Sequence, residues 1–304
     1  MTVSMVILNY NDYALTTEYV ERIKQFSLLD HIIIVDNHSP DGSYNHLCGL
    51  KSNKVDIIQT SENKGYAYGN NEGIRFLCKK YGSEGIVFIS NPDIVVDEKS
   101  INKIVDSFDQ YDNQFAATGE VHSLSGERVD LFTWRLPDSG ILFIENSVVL
   151  RNLIRKIFHY SRRYSDLQAI DHGSYYCGEA LPGCFFAVDL SKFIDLGMFS
   201  EKTFLYYEEE ILFSKAKNLN YNTRVIKNAP IIHAEGATTK KNIKSWRKRE
   251  RILEDSCVVY MRDCLGTGKH MCSLYRFVNR FFLPERYFLY RLKEYLMKKQ
   301  GGTI

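Results

Sequence analysis

The sequence lacks several features that would place it in a common class of proteins. No apolar run approaches the roughly 18 residues that a membrane-spanning helix requires. The first residues show no basic segment followed by the short apolar core of a secretion signal. The seven cysteines include no Cys-x-x-Cys spacing, so the sequence indicates neither a zinc site nor a disulfide framework. We therefore expect a cytoplasmic protein with reduced thiols.

Two common nucleotide-binding motifs are also absent. No Gly-x-Gly-x-x-Gly follows the first apolar run, which disfavours a dinucleotide-dependent dehydrogenase. The sequence also has no Gly-x-x-x-x-Gly-Lys-Ser/Thr, the motif of a P-loop. A nucleotidyltransferase would carry a Gly-rich loop with Arg or Lys directly after the first strand, and Asn9-Tyr-Asn-Asp-Tyr13 offers none. The 304 residues are 44% hydrophobic and 25% charged, which is the composition of an ordinary globular enzyme.

What the sequence does contain is a series of apolar runs that each end in Asn or Asp. These runs occupy residues 3–11, 28–41 and 86–93, and helical periodicity is predicted over residues 13–26, 70–81 and 98–108. Such alternation predicts an α/β protein with a parallel sheet and one polar rim. Open α/β sheets bind ligands at the carboxyl ends of their strands. The alternative interpretation of each polar end is a turn, since Asn, Asp and Pro are turn formers.

The ordered set of sequence blocks resembles the inverting glycosyltransferases of family 2, most closely their rhamnosyltransferase-like bacterial members. The blocks are residues 6–11, 34–43, 63–74, 91–93, 181–186, 204–210 and His233. The resemblance implies a GT-A fold, in which a mixed, mainly parallel sheet is flanked by helices. It also implies a catalytic domain over residues 1–240, with a nucleotide-binding half (1–110) and an acceptor half (111–240). A basic helical C-terminal extension would occupy residues 241–304.

The resemblance assigns a metal site and a nucleotide-sugar site. Asp93 would ligate Mg²⁺ or Mn²⁺ bridging the two donor phosphates, and His233 would be a second ligand, although a lone His is often structural. Asp36 would accept a hydrogen bond from the imide N–H of uracil or thymine. The expected nucleotide-sugar contacts are Asn9, Asn11, Asp36, Asn37, Asn63, Gly65, Asn70 and Asn91. Asn91 stands where the family often has Asp, so the metal role falls on Asp93.

The acid cluster Glu208-Glu209-Glu210 is the candidate catalytic centre. By the resemblance, Glu209 would deprotonate the acceptor hydroxyl, although the family usually has Asp there, and Glu208 is a rival for the role. Three consecutive carboxylates repel one another, so at least one is expected to titrate high. The cluster also reads as the acidic first turn of a helix over residues 208–219. The resemblance places the acceptor floor at Gly183, Cys184 and Phe185, with core packing as the alternative for the phenylalanine.

The C-terminal end of the chain is strongly basic. Residues 240–304 carry 16 Lys and Arg against 6 Asp and Glu, whereas the whole chain has a net charge of only +2. Aromatic and aliphatic residues lie between these cations, and Pro284 interrupts the segment. Basic amphipathic helices of this kind bind anionic membrane surfaces, which would place the protein on the inner face of the plasma membrane. The alternative is a helical subdomain that packs on the catalytic domain or forms a homodimer.

Taken with the resemblance, these features predict an enzyme that inverts the anomeric configuration of the sugar it transfers. The expected donor is dTDP-L-rhamnose, and the acceptor is a saccharide or lipid-linked glycan of cell-surface polysaccharide biosynthesis. A UDP-hexose is the alternative donor. Because Asn91 and Glu209 depart from the family pattern, a catalytically inactive sugar-nucleotide-binding or scaffolding subunit is the alternative function. Nucleic-acid binding is not expected, since no groove-reading motif is present.

Overall fold

A computed structural model describes residues 1–124, 126, 132–158, 170–233 and 243–299. Its strands form one nine-stranded sheet. The strands are β1 Val3–Asn9, β2 His31–Asp36, β3 Val55–Gln59, β4 Ile86–Ser90, β5 Ile94–Val96, β6 Gln114–His122, β7 Tyr175–Gly178, β8 Phe185–Asp189 and β9 Asn222–His233. Along the sheet their order is β3-β2-β1-β4-β8-β6-β9-β5, and β7 pairs with β9.

The sheet is mixed, with its parallel half formed by the N-terminal strands. β3, β2, β1 and β4 are parallel to their neighbours, whereas β8 is antiparallel to both β4 and β6. The apolar runs of β1, β2 and β4 are buried on both faces, as expected for strands that helices cover on each side. The predicted parallel strands with a polar rim are therefore confirmed.

Helices cover both faces of the sheet and form the C-terminal end. They are α1 Tyr13–Ile23, α2 Ser43–Leu47, α3 Tyr66–Tyr81, α4 Glu98–Gln110, α5 Ser139–Glu145, α6 Val148–Phe158, α7 Leu190–Asp195, α8 Glu208–Asn218, α9 Trp246–Asp263, α10 Lys269–Phe281 and α11 Leu283–Lys299. Within the described residues, no helix is both long enough and apolar enough to cross a membrane.

Alternate residues of the strands feed two different cores. Val6 and Val35 point to the core shared with α3, whereas Met5 and Ile34 point to the core shared with α1 and α4. This alternation follows from the two-residue period of a strand. The two cores lie on opposite faces of the same strands, so packing on both faces holds the polar rim at their carboxyl ends in place.

Two predicted elements differ from the observed ones. Helix α3 begins at Tyr66 instead of residue 70, because Gly65 at φ 101° lets the chain turn directly into the helix. Asn70 therefore lies inside the helix, and the expected helix N-terminus there is wrong. Strand β3 was not predicted, since Asp56 interrupts its apolar run. Asp56 is buried there because Lys80 Nζ and Tyr81 Oη both bind its carboxylate at 2.6 Å.

The C-terminal helices pack on the second half of the sheet domain. Tyr260 and Met261 of α9 share a third core with Tyr207 and with Ile211 of α8. The Tyr260 hydroxyl also donates to the Pro137 carbonyl at 2.9 Å. The basic extension is therefore helical, as predicted, and the inner face of α9 contacts α8 and the segment that contains Pro137.

Candidate functional site

The polar rim begins with a buried cluster around Asp36. The register of β1 and β2 places Asn9 beside Asp36, and Asn9 Nδ2 donates to Asp36 Oδ1 at 2.8 Å. The other carboxylate oxygen accepts from the Ser39 backbone N–H at 3.1 Å and from Gln59 Nε2 at 3.0 Å. Asp36 is fully buried, whereas Gln59 is exposed. The exposed Gln59 amide therefore covers the carboxylate that the sequence assigned to the base.

A second cluster holds the loop before α3. Asn37 Nδ2 donates to Asn63 Oδ1 at 3.2 Å and to the Gly65 carbonyl at 3.1 Å. A Cβ on Gly65 would lie 1.9 Å from the Phe204 carbonyl oxygen, so only glycine fits this crossing. The next residue, Tyr66, donates its backbone N–H to the same Phe204 oxygen at 2.9 Å. These contacts tie the nucleotide-binding half to the loop that precedes α8.

A cavity of about 190 Å³ opens above these two clusters. Amide groups, apolar and aromatic groups and one lysine line it. Its lining residues are Leu8, Tyr10, Asn37, Asn63, Gly65, Tyr66, Asn91, Pro92, Phe204, Leu205, Ile243 and Lys248. Four of the predicted nucleotide contacts lie beside or beneath it and not in its described lining. These four are Asn9, Asn11, Asp36 and Asn70.

Asp93 and His233 meet next to this cavity. β5 and β9 pair so that Ile94 stands opposite His233, which brings His233 Nε2 to 3.4 Å from Asp93 Oδ2. Burial acts to lower the pKa of His233, but Asp93 and Cys184 outweigh it and raise this pKa to about 10. Asp93 is buried, and its Oδ1 has no hydrogen-bond partner among the described residues.

This pair fits a divalent cation. A carboxylate oxygen and an imidazole nitrogen are suitable ligands, and the unpartnered Oδ1 of Asp93 offers a further lone pair. No group of three or more His, Cys, Asp or Glu suited to a metal occurs in the described part of the chain. The two protein ligands would therefore share the ion with phosphate oxygens and water, which is usual for Mg²⁺.

The loop before β8 joins the candidate metal ligands to the acid cluster. The Asn91 backbone N–H donates to the Cys184 carbonyl at 2.8 Å, and Cys184 also interacts with His233. One residue earlier, the Gly183 carbonyl accepts from the Tyr66 hydroxyl at 2.5 Å. A Cβ on Gly183 would lie 2.1 Å from Glu209 Oε1, so that carboxylate packs directly on the glycine. The consecutive residues Gly183 and Cys184 thus contact the acid cluster on one side and the candidate metal site on the other.

The assignment of Phe185 to the acceptor floor is wrong. Phe185 is fully buried, and its ring lies 5.3 Å from that of Phe88. It lies in β8, which pairs with β4 on one side and β6 on the other, with both faces of the strand covered. A ring in this position fills the core and presents no face to a sugar.

The three glutamates have different environments at the start of α8. Two left-handed residues, Tyr206 at φ 72° and Tyr207 at φ 63°, precede the helix, and such conformations are costly for aromatic residues. Glu208 is buried, and burial followed by the charge of Glu209 raises its pKa well above its ordinary value. Glu209 is half-buried and lies against Gly183. Glu208 is therefore the carboxylate that titrates high.

A second cavity, of about 390 Å³, lies on the other side of the Tyr206–Tyr207 turn. Glu209 lines it, as do side chains from α5, α6, α9, α10 and α11. Trp134 also lines it, and the buried Trp134 Nε1 has no hydrogen-bond partner among the described residues. An indole with a free donor beside carboxylates and amides is a suitable surface for a sugar. Glu209 thus lines a polar, aromatic cavity.

The family of the chain follows from its sequence match. The family model described as Glycosyl transferase family 2 matches residues 4–164, more than half of the chain. The chain belongs to this family. The match includes the clusters around Asp36 and Asn63 and the Asn91 to Asp93 block, whereas the acid cluster and His233 of this glycosyltransferase lie after it.

A curated relative and two solved structures are similar to this chain. The low-salt glycan biosynthesis hexosyltransferase Agl10 of Haloferax volcanii is 25% identical over 219 residues, which is 72% of this chain and 62% of the relative. The mannosyltransferase PcManGT from Pyrobaculum calidifontis, in complex with GDP-Man and Mn²⁺, aligns over 93% of this chain and 72% of its own, with TM-score 0.55 and 13% identity. GalNAc-T7 with UDP, GalNAc and Mn²⁺ aligns over 94% and 56%, with TM-score 0.59 and 13% identity.

At 13% identity the two solved structures bear on the fold alone. They confirm the predicted GT-A class, a mixed sheet flanked by helices with a helical C-terminal region.

Sequence reasoning missed two residues of the site. Lys248 of α9 lines the first cavity, although it lies far along the chain in the basic extension. Tyr66 links the Gly183 carbonyl to α3. No motif distinguishes Lys248 from its neighbouring cations. The Asn63 to Gly73 block does mark the position of Tyr66, but its aromatic ring resembled an ordinary core residue.

Proposed function

We propose that this family 2 glycosyltransferase moves a hexose from a nucleoside-diphosphate sugar to a glycan acceptor, with metal assistance and inversion. The observation that carries the proposal is the pair Gly183 and Cys184. Gly183 contacts Glu209, and Cys184 contacts Asn91 and His233. This contact pattern supports a general base at Glu209 and a diphosphate site at Asp93 and His233, on opposite sides of one short loop. Direct displacement at an anomeric carbon needs these two groups.

The donor end of the site is suited to a diphosphate. Asp93 and His233 would hold Mg²⁺ or Mn²⁺, and such an ion supplies Lewis-acid stabilisation of the charge that develops on a leaving diphosphate. His233 would lose its ring proton on ligating the metal. Lys248 in the cavity lining would add positive charge beside the phosphates. Asn37, Asn63 and Asn91 would bind the nucleoside and phosphates.

The acceptor end assigns different roles to the adjacent glutamates. Glu209, half-buried between Gly183 and the second cavity, would take the proton of the acceptor hydroxyl. Burial raises the pKa of Glu208 well above its ordinary value, which favours the neutral carboxyl and reduces its repulsion of Glu209. One displacement by the deprotonated hydroxyl inverts the anomeric carbon, and no covalent enzyme intermediate is required.

The proposed donor is dTDP-L-rhamnose, with a UDP-hexose as the alternative. Both bases carry an imide N–H, and Asp36 offers a carboxylate that already accepts hydrogen bonds from three protein donors. The base N–H would replace the exposed Gln59 amide at Asp36 Oδ2. The proposed acceptor is a saccharide or lipid-linked glycan of cell-surface polysaccharide biosynthesis.

The test is donor turnover with defined stereochemistry. Purified protein would be incubated with dTDP-L-rhamnose, UDP-glucose, UDP-galactose and GDP-mannose, each with Mg²⁺ or Mn²⁺, and nucleotide release measured. The anomeric configuration of the product would be read by NMR. Metal-dependent turnover of a dTDP or UDP sugar, with inversion, supports the proposal. If the protein binds nucleotide but turns over no donor, with or without an acceptor, the alternative of an inactive sugar-nucleotide-binding subunit is favoured.

A further inference from the structure

Three helices at the C-terminal end expose an unusual amount of apolar surface. Of the 20 large apolar side chains exposed in the described part of the chain, 14 lie on α6, α10 and α11. Phe277, Phe281 and Phe288 are 66%, 68% and 65% exposed. Exposed apolar surface of this extent usually marks an interaction site in a soluble protein. We call the exposed side chains of these three helices the apolar face.

The apolar face is additional to the surface that holds the helices on the protein. In α10, Cys272, Tyr275 and Asn279 are buried on the inner side, where the first two join the third core. Leu274, Phe277 and Phe281 lie at spacings of three and four residues and are exposed. α10 thus has a second apolar stripe that packing against α9 does not use.

Polar contacts fix the start of α6 to the start of α11. Glu285 accepts from Ser147 Oγ at 2.8 Å and from the Val149 backbone N–H at 2.9 Å. The neighbouring Arg286 donates to the Asn146 carbonyl at 2.7 Å. α10 leads directly into α11 through Phe282. The three helices that carry the apolar face are therefore attached to one another.

The charge of these helices identifies the occupant. Together α6, α10 and α11 contain eleven Lys and Arg against two Glu. Arg276, Arg280 and Arg286 are paired with the α9 acids Glu250, Glu254 and Asp255, and a surplus of six positive charges is left when these three acids are also counted. A second copy of the chain would bring the same positive surplus against this face, so like charges would oppose a dimer. An anionic bilayer offers negative headgroups to the cations and an apolar interior to the side chains.

We propose that the apolar face docks the protein on an anionic lipid bilayer, with the aromatic side chains of α10 and α11 inserted at the headgroup boundary. This binding goes beyond glycosyl transfer and does not depend on it. The second cavity is walled in part by Arg151, Tyr275 and Arg286 from the same helices. If the proposed function holds, docking brings that cavity, with Glu209 in its lining, to the membrane surface where a lipid-linked acceptor resides.

The experiment is vesicle flotation with the full-length protein. Vesicles of phosphatidylcholine with 30% phosphatidylglycerol are compared with pure phosphatidylcholine vesicles, at low and high salt. We expect binding to the anionic vesicles that is at least tenfold stronger than to neutral ones and that weakens with salt. The double variant Phe277→Glu/Phe281→Glu is expected to lose at least tenfold in affinity. The control is Leu219→Glu, which alters a side chain of similar exposure outside the apolar face.

Three outcomes would overturn the docking proposal. They are no binding to anionic vesicles, equal binding by the double variant and wild type, and a dimer in light scattering that the double variant abolishes. The last would assign the face to self-association. Nucleotide titration is run on the same samples, and it is expected to be unchanged in both variants. Failure of docking with intact nucleotide binding would thus leave the proposed transferase function standing.

Discussion

The clusters around Asp36 and Asn37 differ from the start of α8 in how far protein groups satisfy their buried polar atoms. On the nucleotide side, Asp36 accepts three hydrogen bonds from protein groups and Asn37 is held on both ends of its amide. On the acceptor side, Glu208 Oε2 and Trp134 Nε1 are buried without hydrogen-bond partners among the described residues. The first arrangement stabilises the fold, whereas the second costs stability.

The backbone shows the same difference. The turn into α8 consists of two left-handed tyrosines, Tyr206 and Tyr207, each of which costs on the order of 1 kcal/mol or more. The turn into α3 uses Gly65, which adopts its positive φ at little steric cost. The two left-handed tyrosines and the unpartnered Glu208 oxygen therefore meet at the start of α8, where we place the general base. The nucleotide side provides a preorganised binding surface that supports it.

The largest expected effect comes from Asp93, which lies between the two sides. Asp93→Ala removes the candidate metal ligand that carries the negative charge, so several kcal/mol of stabilisation of the leaving diphosphate would be lost. We expect transfer to fall at least about a thousandfold, since each 1.4 kcal/mol is about tenfold in rate. Steady-state kinetics with the active donor measure it. Asp109→Ala, on the exposed face of α4, is the control. Full activity in folded Asp93→Ala would remove the metal site from the mechanism.

Substitutions of the adjacent glutamates Glu208 and Glu209 are expected to have very different effects on the rate of transfer. Glu209→Gln removes the general base and should lower transfer about a thousandfold while donor binding persists. Glu208→Gln replaces a carboxyl that is not the proposed base and whose neutral form burial favours by raising its pKa, so we expect less than about a tenfold change. The same kinetic assay with a nucleotide titration compares them. The reverse order of effects would assign the base to Glu208.

Gly183→Ala tests whether the loop positions Glu209. The added Cβ would lie 2.1 Å from Glu209 Oε1, so the carboxylate must move. A displacement of about 1 Å costs roughly a hundredfold in rate, and donor affinity should hardly change. Gly49→Ala is the control, since a Cβ there meets nothing within 4 Å. Unchanged kcat in Gly183→Ala would show that the contact has no catalytic consequence.

A smaller effect is expected from the nucleotide side. Asp36→Asn exchanges one acceptor oxygen for a donor, which then faces either the Asn9 amide or the Ser39 N–H. We expect affinity for dTDP or UDP to fall about tenfold or more, with a loss of stability of about 1–3 kcal/mol. Asp56→Asn removes a buried carboxylate from the adjacent strand and serves as the control for that loss. Calorimetry would show equal nucleotide affinity in both variants if Asp36 did not read the base.

The smallest effect concerns stability and pH. The pKa of Glu208 is raised well above its ordinary value by burial, so the folded protein holds a proton that the unfolded chain releases above about pH 4.5. The wild type should therefore lose stability relative to Glu208→Gln as pH rises from there towards the folded pKa. The slope is at most about 1.4 kcal/mol per pH unit. Denaturant unfolding at pH 5 to 8 measures it, and a constant difference would mean that Glu208 is charged in the fold.

The two sides also differ in how far the sequence predicts them. β1, β2 and β4 follow from apolar runs ending in Asn or Asp, and their parallel pairing brings Asn9 and Asp36 together. β3 is hidden because its buried Asp56 depends on Lys80, which lies on a different element.

Contacts between residues far apart in the sequence could not be predicted from it. Glu209 meets Gly183 only because β8 inserts antiparallel beside β4, and sequence periodicity carries no information on that pairing. Lys248 lines the first cavity because α9 packs on α8. In the sequence, Phe185 and Phe186 cannot be distinguished from aromatic residues that stack on a sugar, but they lie in a central strand and both are buried.

The most direct test of the account is calorimetric titration of dTDP and UDP into wild type and Asp93→Asn, each with and without Mn²⁺. We expect wild type to bind at least one nucleotide far more tightly when Mn²⁺ is present, and Asp93→Asn to lose that enhancement. Metal-dependent affinity that is the same in both proteins would contradict the placement of the donor diphosphate at Asp93.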